Sequence, residues 1–138
     1  MQNNKLFIDT NIILDLLDDK RSSYLDSKRL IEKCLSDNIL IAISDDIITT
    51  VYYLSEKRVK RDKLLGFIKF LNKNFEIFVF DHDVIEEAID ICLKNSSYDF
   101  EDTLQAVCAK KYKFYTLVTN DKKFPKIDGV NIINPKEF

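Results

Sequence analysis

Short apolar runs alternate along the chain with stretches whose apolar positions recur every three to four residues. Lys5 to Asp9 (KLFID), Ile39 to Ile43 (ILIAI), Glu76 to Phe80 (EIFVF) and Tyr115 to Val118 (YTLV) carry the β-branched and aromatic bias of strands, with a fifth, weaker run at Val130 to Ile133. Helical spacing is present in a short segment at Asn11 to Leu17, at Ser23 to Ser36, and through Ile47, Ile48, Val51, Tyr52 and Ser55. It continues through Leu64, Leu65, Ile68 and Leu71, through Val84, Ile85, Ala88, Ile89 and Cys92, and from Asp102 to Tyr112. Continuous apolar strands alternating with amphipathic helices predict an α/β fold: a central, mostly parallel, twisted sheet of four or five strands flanked by helices. At 138 residues the chain predicts a single domain over 1–138. With two glycines and two prolines, Asn, Asp and Ser do most of the punctuation, and Gly66, inside a helical pattern, predicts close packing or a kink.

Composition changes this picture little. Hydrophobic residues make up 46% and charged residues 32%, the profile of a globular domain with its own core. Cys34, Cys92 and Cys108 form no CxxC pair, so neither a disulfide framework nor a zinc knuckle is expected, and the cysteines read as small buried residues. Acids interrupt every early apolar run, which predicts a soluble, cytoplasmic protein without a membrane span. The net charge of −2 hides a segregation: seven bases against two acids from Ser55 to Phe75, six lysines against one acid from Lys110 to Lys126, and nine acids against one base from Glu76 to Asp102. Such fields can guide an anionic polymer.

In open α/β sheets, ligands bind beyond the carboxyl ends of the strands, and here those positions are acidic. Asp9, Thr10 and Asn11 follow the first run; Ser44, Asp45 and Asp46 the second; Thr119, Asn120 and Asp121 the fourth; and the helix entering that fourth strand starts near Asp99, Glu101 and Asp102. Asp9, Asp46 or Asp102 alone is explained by capping, worth about 1 kcal/mol. Carboxylates from separate elements that converge on one crevice repel at ~4 kcal/mol per pair at 4 Å and an effective dielectric near 20. A hard divalent cation would compensate them, and Mg²⁺ binds through a few carboxylates together with substrate phosphates. That chemistry suits phosphodiester cleavage.

DTNIILDLL at Asp9 to Leu17, the stretch from Ser44 to Leu54, DFEDTLQAVCA at Asp99 to Ala109 and LVTNDKKF at Leu117 to Phe124 together resemble PIN-domain nucleases, including VapC-like ribonuclease toxins of bacterial toxin-antitoxin pairs. The resemblance implies a doubly wound α/β fold and a divalent-metal-dependent endoribonuclease that cleaves single-stranded RNA with Mg²⁺ or Mn²⁺. It also implies a small antitoxin partner and a homodimer. By the same resemblance Asp9, Asp102 and Asp121 are the catalytic acids, Asp99 joins them as a metal ligand, and Asn11 and Thr119 are polar supports. The chain departs from the pattern at Thr50, a polar position where the family usually carries an acid. Asp46, four residues earlier and on the same helical face, is the candidate replacement ligand. If nothing replaces that acid, the alternative is a degenerate domain, without metal or activity, that binds RNA or protein.

Other residues point elsewhere only weakly. His82, the one histidine, reads as a surface or capping residue, and no glycine-rich phosphate loop is present. Tyr52, Tyr53, Tyr112 and Tyr115 are candidates for stacking unpaired bases. Asp81 occupies the place of a phospho-accepting aspartate after the third strand, but that class of module needs two acids after the first strand and a lysine after the fifth, and this chain has neither.

Overall fold

A computed structural model of the chain describes residues 4–138, so the first three residues of the predicted domain lie outside it. Five strands form one sheet: β1 (Lys5–Ile8), β2 (Leu40–Ser44), β3 (Glu76–Phe78), β4 (Thr116–Val118) and β5 (Asn131–Ile133). Every neighbouring pair is parallel, and the order is β3-β2-β1-β4-β5. The chain therefore winds outward from β1 in one direction through β2 and β3, and in the other through β4 and β5. The reversal falls between β1 and β4, the adjacent pair whose carboxyl ends form a crevice in doubly wound sheets.

The strands are continuous apolar runs because both faces are covered. Leu6 and Ile8 of β1, Ile41 and Ile43 of β2 and Val118 of β4 point to one side, where they meet α1 (Thr10–Asp15), α2 (Tyr24–Ser36), α3 (Asp46–Ser55) and α4 (Arg61–Asn74). The residues between them, Phe7, Ala42 and Leu117, face the other side and pack on Ala106 and Ala109 of α6 (Phe100–Lys111). Val84 and Ala88 of α5 (His82–Lys94) then close over Leu104, Val107 and Cys108 of α6. Each fully buried Leu, Ile or Phe stabilises this arrangement by about 1.5–3 kcal/mol relative to exposure. Between these two neighbours, α6 is buried continuously from Thr103 to Ala109.

Few glycines are available for turns, and two other residues take the left-handed conformation: Asn38 between α2 and β2 (φ 56°) and Lys113 after α6 (φ 66°). Gly129 (φ 85°) makes the turn into β5, where an added Cβ would also stand 3.1 Å from Lys110 Cε. Gly66 corrects a sequence expectation. It lies on the exposed face of α4, where a Cβ added to it would meet no neighbour within 4 Å, so close packing does not explain it. Otherwise the predicted elements are present with ends shifted by a residue or two, as where α6 begins at Phe100 rather than Asp102. Cys34 and Cys108 are buried, whereas Cys92 is only half-buried. Among the described residues, no helix is long and apolar enough to cross a membrane.

Candidate active site

The parallel register pairs Ile8 with Val118, so the next residues, Asp9 and Thr119, leave the sheet side by side. Asp9 caps α1: its Oδ1 accepts from Thr10 N at 2.7 Å, while Oδ2 accepts from Asn11 Nδ2 at 3.0 Å and Thr119 Oγ1 at 2.7 Å. Thr119 Oγ1 also accepts from Asn11 Nδ2 (3.2 Å) and from the backbone N–H of Asp121 (3.0 Å). Thus Asn11 and Thr119, the predicted supports, bind Asp9 and each other. Asp121 turns its own loop, with Oδ1 accepting from Lys123 N at 2.8 Å.

From the opposite layer, α6 brings its N-terminus to the same place. Asp99 caps this helix by accepting from Asp102 N at 3.0 Å, and Glu101 and Asp102 lie in its first turn. These acids sense one another's charge. Burial raises the Asp9 carboxyl above its ordinary range and Asp121 raises it further, against the hydrogen bonds from Thr119 and Thr10. Asp102 is pushed up to about 7, first by desolvation and then by Asp9, Asp99, Asp121 and Glu101. Capping and clustering therefore coexist: the same carboxylates that start helices also crowd one crevice. Hydrogen bonds anchor the helix starts, and those starts hold the charges together.

Asp46 begins α3, where Ser44 Oγ donates to its Oδ1. It neighbours Glu101, whose carboxyl is raised by partial desolvation and then by Asp46, with Asp9 and Asp99 adding to the effect. Asp46 is thereby linked to the cluster through Glu101. Thr50 lies one turn farther along α3 and is half-buried. Glu101 stands at the helix start in the sequence pattern, where no role was assigned to it. Two further polar groups carried no signal of their own there. Gln105, fully buried one turn below Asp102, donates to Thr10 Oγ1 at 3.0 Å, while its Oε1 has no partner among the described residues. Asp15, also fully buried, ends α1. Inward-facing polar residues within apolar stripes were the available clue.

Among the described residues no three acid, histidine or cysteine side chains are drawn together tightly enough to enclose an ion. The donor set is nonetheless all carboxylate oxygen, the chemistry of a hard divalent cation, and its mutual repulsion is what such a cation relieves. A groove of about 250 Å³ opens beside Asp121, lined also by Asn120, Lys122, Asn134 and Glu137 with Ile132 and Ile133 as its apolar wall. A larger groove of about 380 Å³, between α5 and α6, holds none of the acids of this crevice. Asp81 caps α5 and pairs with Lys111 beyond the end of edge strand β3, apart from the β1/β4 reversal. Tyr112 stacks on Phe78 (4.1 Å between centroids), so that ring face is committed to the fold, whereas Tyr53 and Tyr115 are exposed.

The family model of the PIN domain matches residues 5–123, from the first residue of β1 to just past Asp121. The chain belongs to the PIN-domain family. In this PIN domain the matched span contains all the acids of the crevice. Ribonuclease VapC1 of Aquifex aeolicus is 34% identical over 139 residues, covering 100% of this chain and 95% of that protein. The fold is shared with VapC20 of Mycobacterium tuberculosis, a sarcin-ricin loop cleaving toxin (TM-score 0.72, 17% identity, 86% of this chain and 92% of that one). It is shared too with a chain of VapBC2 from Rickettsia felis, solved bound to a DNA fragment from its promoter (TM-score 0.70, 24% identity, 94% and 98%).

Proposed function

We propose that this PIN domain is a divalent-metal-dependent endoribonuclease acting on single-stranded RNA, and that it is the toxin of a toxin-antitoxin pair restrained by a small antitoxin protein. The observation that carries the reading is the gathering of acids from separate elements at the β1/β4 reversal: Thr119 hydrogen-bonds both Asp9 and the backbone of Asp121, and the charges of neighbouring acids raise the carboxyls of Asp9 and Asp102. The full-length similarity to a ribonuclease supports the substrate class.

Asp9, Asp102, Asp121 and Asp99 would hold Mg²⁺ or Mn²⁺, with Asp46 and Glu101 supplying the charge that Thr50 lacks. Bound there, the cation supplies a lowered pKa for water and stabilisation of charge on the phosphate oxygens. The protein's own groups do the rest. Thr10 N holds Oδ1 of Asp9 while Asn11 and Thr119 hold Oδ2, leaving the carboxylate no freedom to turn away. The apolar wall beside Asn120 and Asn134 provides a surface against which a base next to the cleaved linkage can lie.

Single-turnover cleavage of a labelled single-stranded RNA, with Mn²⁺ and with chelator, tests this. Cleavage that requires Mn²⁺ and is lost in Asp9→Asn is expected. Equal cleavage in chelator, or an unimpaired Asp9→Asn protein, would refute it, and no cleavage or Mn²⁺ binding at all would favour the metal-free binding module instead.

A further inference from the structure

Asp15 is the last residue of α1 and is fully buried, yet its carboxylate accepts four hydrogen bonds. Arg21 Nε donates to Oδ1 at 2.6 Å; Ser23 Oγ, Ser27 Oγ and Asn120 Nδ2 donate to Oδ2 at 2.8, 2.5 and 2.8 Å. A buried carboxylate is retained at a cost in desolvation and is held only when charge and hydrogen bonds both compensate it. Three of its donors come from the next few turns of chain. The fourth, Asn120, arrives from the loop after β4, 105 residues away in sequence.

Asn120 is gripped twice by one face of α1. Its backbone N–H donates to Asn11 Oδ1 at 3.2 Å and its amide to Asp15, and Asn11 and Asp15 stand one turn apart on the helix. On one side of Asn120 stands Thr119, whose hydroxyl donates to Asp9; on the other stands Asp121, an acid that Asp9 repels. Left to electrostatics, the loop would carry Asp121 away from Asp9. The double grip opposes that motion, and Arg21 neutralises Asp15 so that the anchor adds no further negative charge beside the crevice.

We propose that Asp15 is a positioning residue for the metal site: by holding Asn120 it keeps the Asp121 carboxylate presented toward Asp9. This rests on the metal-dependent reading above.

The test is Mn²⁺ affinity, measured by calorimetry on the whole chain well below its melting temperature, with melting in chelator recorded in parallel. Asp15→Ala and Asn120→Ala should each weaken Mn²⁺ binding about tenfold or more, the loss typical when groups that orient metal ligands are removed. The double variant should lose little beyond either single one, because both break one link. Ser27→Ala, which removes one donor to Asp15 and leaves its bond from Asn120 in place, should lower the melting temperature in chelator and leave Mn²⁺ affinity within about twofold. If Asp15→Ala does not fold, Asn120→Ala decides alone, since it spares Asp15's other three donors. Asn120→Ala binding Mn²⁺ like the parent, while Asp9→Asn loses binding, overturns the positioning role and leaves the metal site standing. Asp9→Asn binding Mn²⁺ like the parent overturns the metal reading, and this inference with it.

Discussion

The crowding of carboxylates makes a specific demand on stability as pH changes in the absence of metal. Asp102 titrates at about 7 in the folded chain against 3.8 when free. Just over three pKa units correspond to about 4 kcal/mol at full weight, and discounting for the solvent that still reaches this half-buried group leaves about 2 kcal/mol. The sign follows from the direction of the shift. A carboxyl whose folded pKa is raised binds its proton more tightly in the folded state, so its stabilisation is complete below pH 3.8 and is lost as pH rises through 7. Stability falls only between the two pKa values, so about 60% of this stabilisation, ~1.2 kcal/mol, is lost between pH 5 and pH 8, and metal-free protein should melt about 4–5 °C lower across that range at roughly 3–4 °C per kcal/mol for a chain of this size. Asp9 and Glu101, also raised, act in the same direction. Thermal melts in chelator across that range, on the parent and on Asp102→Asn, provide the assay. The variant should lose much of the slope. Saturating Mn²⁺ should reverse the trend, because ligands must shed protons to bind, so the gain in melting temperature grows with pH. A parent protein whose metal-free melting temperature is flat or rises between pH 5 and pH 8 would refute the reasoning, since acids that serve only as helix caps have lowered pKa values and behave that way.

Mn²⁺ at about 100 times its dissociation constant should stabilise the parent by ~2.7 kcal/mol, on the order of 10 °C in melting temperature, and leave Asp9→Asn unmoved. Asp46→Asn should reduce that gain, measured by the same melts; an undiminished gain would remove Asp46 from the ligand set. Gly66→Ala should raise stability by about 0.5–1 kcal/mol in urea denaturation, because the exposed α4 site has room for a methyl group and the helix gains from it. Tyr112→Ala should cost about 3 kcal/mol through loss of its stack on Phe78, while Tyr53→Ala, at an exposed ring, should change stability by less than about 0.5 kcal/mol and reveal any role in RNA affinity alone.

The fold was legible because periodicity survives in nearly every element. KLFI, LIAIS and TLV are apolar on both faces, which only a sheet covered on both sides requires, and the intervening helices mostly present one apolar stripe. The acids at the strand ends were legible for the same reason: once β1 and β4 are parallel neighbours, Asp9 and Thr119 must emerge together. Less visible was the setting of Gly66, because a glycine in a helix reads the same whether a neighbour crowds it or solvent surrounds it. Tyr112 was equally ambiguous until the ring of Phe78 lay against it.

The groups that sequence reasoning passed over share a physical character. Asp15 and Gln105 occupy inward positions on helices, where a polar side chain looks like an interruption of the pattern, and both are fully buried. Their partners are remote: Asn120 lies 105 residues beyond Asp15, and Thr10 lies 95 residues before Gln105. A buried charge or amide is costly unless satisfied, so a polar residue kept inside an apolar stripe implies a partner that folding must deliver. Both partners are delivered to the same place, the carboxyl ends of β1 and β4, where Thr10 adjoins Asp9 and Asn120 adjoins Asp121. Violations of the hydrophobic pattern thus converge where the acids converge, and the stability forgone at Asp15 and Gln105 goes into holding mutually repelling carboxylates in register.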